Sequence, residues 1–234
     1  MKNTKLLYTR EKYKKIVSLI KNHKLNNFQK ITNFGLLAGD AAIFKVLTIF
    51  DLIKKTKNIK GDIIEFGVWN GNTGILIKKI LDIFKIKKKV YLFDHFKGML
   101  PEQYKKIDRP GKKFANTLKG NLKLLKQIIN FFKLKNIFII NKDANTLNKK
   151  YFKGKNFSMI IIDVDLYEPT KFILESTHKY LSKGGIIIFD EGNQKEWPGE
   201  KKAMNEFLKK NKSCFRKKFI KYGRQPDVFL EKIK

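Results

Sequence analysis

From Gly61 onward, five short apolar runs recur: DIIEFG (62–67), VYLFD (90–94), NIFIIN (136–141), FSMIIID (157–163) and GIIIFD (185–190). Each is rich in β-branched or aromatic residues, continuous rather than alternating, and bounded by turn residues. That is the pattern of strands buried on both faces. Helical stretches separate them at 75–84, 118–132 and 169–181, the last followed by Gly184-Gly185. This alternation calls for a parallel sheet with right-handed crossovers. GEKKAMNEFLKK (199–210) then reads as a helix, and CFRKKFIKY and DVFLEKI as two more strands. A tight connection at Gly223 to Pro226 makes those two antiparallel. The expected fold is α/β, a mostly parallel seven-stranded sheet with a C-terminal antiparallel hairpin.

Residues 1–60 carry no strong strand and read as a helical N-terminal segment. Lys12 to Lys24 places Tyr13, Ile16, Val17, Leu19 and Ile20 near helical spacing. A second helix is expected after Asp40 as N-cap, with Ile43, Phe44, Leu47, Phe50 and Ile53 on one face and lysines opposing the dipole in its last turns. The segment reads as a lid, a dimer arm or both, and a homo-oligomer is expected. Residues 61–234 would form the ligand-binding domain.

The formal charge of +31 invites a nucleic-acid partner. Of 52 basic residues, however, only four are arginine (Arg10, Arg109, Arg216, Arg224), the side chain whose planar fork suits phosphates and base edges. The lysines are spread along the whole chain without a dense aromatic-interleaved cluster, so they read as solvated faces and argue against nucleic acid. The single cysteine, Cys214, cannot form an intramolecular disulfide, which suits a reducing, cytoplasmic setting. Neither a signal peptide nor a membrane span is visible.

In an open α/β sheet the ligand sits beyond the carboxyl ends of the strands. Here those ends carry acids: Glu65, Asp94, Asp143, Asp163, Asp190 and Glu191. The first turn, E-x-G-x-x-x-G, offers Gly67, Val68, Gly71 and Thr73 for close backbone approach. It lacks the G-x-G-x-x-G of dinucleotide sites. Glu65 would repel a pyrophosphate but suits the sulfonium and ammonium of S-adenosylmethionine. Asp94 is placed for the ribose hydroxyls, and Asp143-Ala144 for the adenine edge. This sheet and these positions are typical of Rossmann-like methyltransferases.

Asp163, Asp190 and Glu191 end neighbouring strands, and three converging carboxylates repel unless a cation or proton intervenes. Hard oxygen ligands of this kind suit Mg²⁺, which would orient two substrate oxygens and acidify a hydroxyl. The competing reading is a set of separately solvated strand-end acids.

IIIDVDLYEPTKFILE, followed by LSKGGIIIFDEGNQKEWPGEKKAMNEF, resembles the macrocin O-methyltransferase family. Its marks are D-x-D-L-Y-E-[SP]-T, G-G-x-[IV]-[IV]-x-D-[DE] and W-P-G, and the resemblance spans roughly residues 60–210. It implies magnesium-dependent O-methylation of a sugar hydroxyl, on a glycosylated natural product or a surface-glycan precursor. It also implies a metal held by Asp163, Asp190 and the next residue, which is Glu191 here where many members have Asp. Asp165 stands as general base or further ligand, and Asp163 and His95 as further candidates for the chemistry. Trp69 and Trp197 either wall the pocket or pack in the core. Tyr167 and Glu168 cap or pack the following helix, His23 and His178 have no chemical role, and the long charged loop 95–117 is a functional candidate. Two other readings remain open: the same cofactor with a polyanionic substrate such as RNA or an acidic glycan, and a non-catalytic scaffold.

Overall fold

The computed structural model describes residues 10–147, 149–195, 197–220 and 225–234; the side chain of Tyr13 and the connection at Gly223 lie outside the described residues. The strands are β1 (Asp62–Phe66), β2 (Val90–Asp94), β3 (Ile137–Asn141), β4 (Phe157–Ile162), β5 (Leu181–Phe189), β6 (Phe215–Phe219) and β7 (Val228–Lys232). They form one sheet in the order β3-β2-β1-β4-β5-β7-β6. The first five pair in parallel and β7 runs antiparallel to both β5 and β6, as the sequence pattern requires. From β1 the chain builds outward in one direction to β3, then restarts at β4 on the other side. The switch point therefore lies between β1 and β4.

The α-helices among the described residues are α1 (Arg10–Asn22), α2 (Asn27–Thr32), α3 (Phe34–Leu37), α4 (Asp40–Thr56), α5 (Asn72–Ile83), α6 (Leu122–Phe131), α7 (Tyr167–Thr177) and α8 (Pro198–Lys210). Strand alternation sorts the core into two layers. Ile64, Phe66, Phe93, Ile160 and Phe189 pack with Ile173, Leu174 and Met204 of α7 and α8. Ile63, Leu92, Met159, Ile161 and Ile188 pack with α4 through Ile49, Leu52 and Ile53, and with α5 and α6 through Ile77, Leu81 and Leu125. Glu65 therefore points to the second face, a carboxylate among aliphatic side chains and only 1% exposed.

Several boundaries differ from the sequence expectation. The helix expected over 169–181 begins at Tyr167 and ends at Thr177, because Leu181 already pairs with Phe157 as the start of β5. α6 starts at Leu122 and not at Leu118, since the Asn121 side chain caps it by accepting the Leu124 N–H at 2.9 Å. β3 is an edge strand whose side chains are at most partly buried, and Phe138 is exposed beside Tyr91. α4 begins at Asp40 itself, with Gly39 as N-cap. Its buried stripe is Thr48, Ile49, Leu52, Ile53 and Thr56, rotated from the expected face, and Leu47 is exposed.

Candidate active site

The β1–α5 turn is shaped by close contact. Gly67 has φ +84°, and a Cβ there would lie 1.7 Å from the carbonyl oxygen of Asp163, so no side chain fits. Gly71 also has positive φ, but the space it keeps clear belongs to Leu125 of α6, and it does not line the cavity above the turn.

That cavity, about 260 Å³, opens beyond the carboxyl ends of β1, β2 and β4. Of the expected binding residues, Glu65, Gly67, Val68, Thr73, Asp94, His95, Asp143, Ala144 and Asp163 all line it. Trp69 does too, half exposed, whereas Trp197 packs in the core against Phe114 with ring centroids 5.2 Å apart. Lys45, Met99, Gln103 and Lys142 also line it and were not anticipated.

Asp94 is already engaged. Its Oδ2 accepts the N–H groups of Val68 (2.7 Å) and Trp69 (2.9 Å), and its Oδ1 that of Phe96 (2.6 Å). The carboxylate thus stitches the end of β2 to the first turn while still facing the cavity. Asp143 likewise accepts the Asn145 N–H and the Gln103 amide. His95 Nδ1 accepts the Lys97 N–H at 3.0 Å, which places the proton of the neutral ring on Nε2. Burial, reinforced by Asp94 and Asp190 against the pull of Lys45, pushes the Glu65 carboxyl up to about 8.

Asp163 and Asp165 line the cavity and further acids gather behind them, in a different grouping from the one expected. Oxygens of Asp163, Asp165 and Glu191 lie within 4.8 Å of one another. Asp190, expected in that set, has its Oδ1 held by the Lys45 ammonium at 3.3 Å, with Asp163 Oδ2 at 3.8 Å from the same nitrogen. The left-handed backbone of Asp165 (φ +63°) turns its carboxylate back over the strand ends. Glu191 accepts the Gln225 side-chain amide through Oε1, while its buried Oε2 finds no donor among the described residues. Behind it, fully buried Glu200 accepts the Glu191 N–H. Burial, then Asp190, raises Asp163 well above the carboxylate range, and burial, then Asp165, does the same to Glu191 and Glu200. Asp165 is pushed up to about 7 by burial, opposed by a hydrogen bond with Glu191 and aided by Asp190. Carboxylates this crowded call for protons or a cation.

The W-P-G segment fastens the long loop over this site. Asp108, 1% exposed, accepts the N–H groups of Lys105 (2.9 Å) and Tyr167 (3.1 Å). Gly199 leaves room for that carboxylate, since a Cβ there would stand 1.8 Å from Asp108 Oδ1. Pro198 opens α8, and Trp197 lies against Gly111 and Phe114. Tyr167 is the first residue of α7, and its hydroxyl donates to Glu206 of α8 at 2.7 Å. The His178 ring bonds the Leu174 carbonyl and packs against Phe207 with centroids 5.3 Å apart, and it does not line the cavity.

The model of the macrocin-O-methyltransferase (TylF) family matches residues 37–216, extending the sequence resemblance at both ends. The calicheamicin methyltransferase CalS11 superposes with a TM-score of 0.80 at 22% identity, covering 97% of this chain and 95% of that one. Its apo form, described as a TDP-rhamnose 3'-O-methyltransferase, gives 0.72 at 22% identity over 94% and 93%. The O-methyltransferase NovP gives 0.71 at 21% identity over 82% and 81%. Comparison with curated proteins returned no match. The three superpositions establish a shared fold, and the family match carries the activity: this chain belongs to the macrocin-O-methyltransferase family and is an S-adenosylmethionine-dependent O-methyltransferase.

Proposed function

We propose that the enzyme methylates a hydroxyl of a sugar or sugar-like acceptor, in a natural-product or surface-glycan precursor, with Mg²⁺ at the strand-end acids. The observation that carries this is the opening of the cavity beside Glu65 and Asp94 onto Asp163 and Asp165, whose carboxylate oxygens lie within 4.8 Å of one on buried Glu191. CalS11, which shares this fold, is described as a TDP-rhamnose 3'-O-methyltransferase, and that supports a sugar acceptor.

The donor set fits a hard divalent cation: clustered carboxylate oxygens, an orphaned buried Oε2 on Glu191, and more acids than Lys45 balances. Asp163, Asp165 and Glu191 would hold the ion, with Asp190 adjoining. It would supply Lewis acidity toward the acceptor oxygens. S-adenosylmethionine supplies an electrophilic methyl group. Glu65 faces the cationic centre of the cofactor, Asp94 the ribose, and Asp143-Ala144 the adenine. Among the residues that would hold the ion, Asp165, pushed up to about 7 chiefly by burial, would also take up the acceptor's hydroxyl proton. His95, which lines the cavity, borders the cofactor. Residues 1–60 act as an accessory lid or dimer arm beside domain 61–234. Exposed Val17, Leu19, Phe28, Ile31 and Leu36 support self-association.

Calorimetry with S-adenosylhomocysteine, then methyl transfer to a panel of nucleotide sugars with and without chelator, tests the proposal. Transfer to RNA and to no sugar would overturn the acceptor assignment.

A further inference from the structure

Lys45 comes from α4, yet its ammonium reaches the acid cluster. It lies 3.3 Å from Asp190 Oδ1 and 3.8 Å from Asp163 Oδ2. It stands three and four residues before Thr48 and Ile49, on the stripe that continues through Leu52, Ile53 and Thr56. A lysine on a buried stripe is costly unless its charge is paired. Burial alone would lower its proton affinity, but Asp190, Asp163 and Glu65 reverse that, so it remains a fixed positive charge.

Besides these ion pairs, the first turns of α4 are held through the partly buried side chains of Ile43, Phe44 and Val46. Among the described residues, no α4 side chain before Thr48 is buried, and α2 and α3 bury none. The ion pairs of Lys45 are therefore the polar attachment of this end of the helix to the strand ends. A divalent ion at Asp163 competes for the same carboxylate, and two cations at ion-pair distance repel.

We infer that Lys45 is the internal counter-ion of this site. It pairs with Asp190 and Asp163 in the metal-free enzyme, offsetting part of their charge, and withdraws when a divalent ion enters. The inference rests on the metal reading above. Metal binding and the seating of α4's first turns then form one exchange equilibrium. By linkage, each weakens the other to the same extent. Lys45 acts here as a positioning residue that sets metal affinity.

The test uses Mn²⁺ as probe on the full chain, followed by electron paramagnetic resonance and calorimetry. Lys45→Met is expected to bind Mn²⁺ at least tenfold more tightly than wild type, with Lys45→Gln close to it and Lys45→Arg within threefold of wild type. In wild type, Mn²⁺ is expected to speed hydrogen exchange of the amides of residues 42–47, a readout that needs no variant. Equal or weaker Mn²⁺ binding by both neutral variants, or unchanged exchange in wild type, overturns the inference while leaving the metal reading standing. Absence of Mn²⁺ binding at millimolar concentration in wild type and both variants overturns the two together.

Discussion

The buried carboxylate of Glu200 accepts the backbone N–H of Glu191 at 2.9 Å. The first turn of α8 thus fixes the peptide that carries a cluster acid, through a carboxyl group that burial and then Asp165 keep well above the usual range. Glu200→Gln preserves the acceptor oxygen and removes the acid, so it should fold with wild-type stability at neutral pH. Glu200→Ala leaves a buried N–H unpaired and should cost about 1–3 kcal/mol. Chemical denaturation of both variants distinguishes the cases, and equal stability would show that the bond contributes nothing.

Glu65 predicts a pH dependence with a definite sign. Its folded-state carboxyl sits at about 8, against 4.5 unperturbed, chiefly through burial. Between those values the folded state binds the extra proton, so this group's contribution to stability falls as pH rises from about 5 through 8. Glu65→Gln should therefore be more stable than wild type at pH 9, seen as a higher thermal midpoint. The cationic cofactor favours the carboxylate, so its affinity should rise by up to about tenfold per unit between pH 6.5 and 8. Calorimetry in buffers of different ionisation enthalpy should register one proton released, and a flat affinity would contradict the role of Glu65.

Gly199→Ala should loosen the loop over the site. Its Cβ would press on Asp108 Oδ1 at 1.8 Å and on the Tyr167 nitrogen at 2.7 Å, neither at the end of a long flexible chain. A loss of about 1–3 kcal/mol is expected from such overpacking. Faster proteolysis within residues 101–116 would locate the damage, and unchanged cleavage there would place it elsewhere.

Mg²⁺ should stabilise the folded protein, because it relieves repulsion among acids that the unfolded chain does not bring together. The gain should be about 2.7 kcal/mol at a concentration 100 times its Kd. Glu191→Gln should lose most of this gain, together with any chelator-sensitive activity. Thermal unfolding with and without the ion measures both effects.

The sheet was legible because strands covered by helices on both sides need continuous apolar runs, and β1, β2, β4 and β5 show them. The lining of the cavity followed, since the topology itself puts Glu65, Asp94 and Asp163 at strand ends. Less legible was which acids meet. Asp165 joins Asp163 and Glu191 through a left-handed backbone that aspartate tolerates but does not announce. Asp108 and Glu200 take their roles from segments 59 and 9 residues away, which no local pattern encodes. Lys45 did leave a trace, a basic residue in phase with Thr48, Ile49 and Leu52, visible only once the helix's true buried face is known.

At Gly67 the main chains of β1 and β4 press together so closely that even a methyl group is excluded. The span from the turn to the acids is therefore a caliper made of backbone, whose opening side-chain substitution cannot readily reset. A change of acceptor should therefore be sought in the 95–117 loop and the helices before β1, which can be exchanged without altering the gauge.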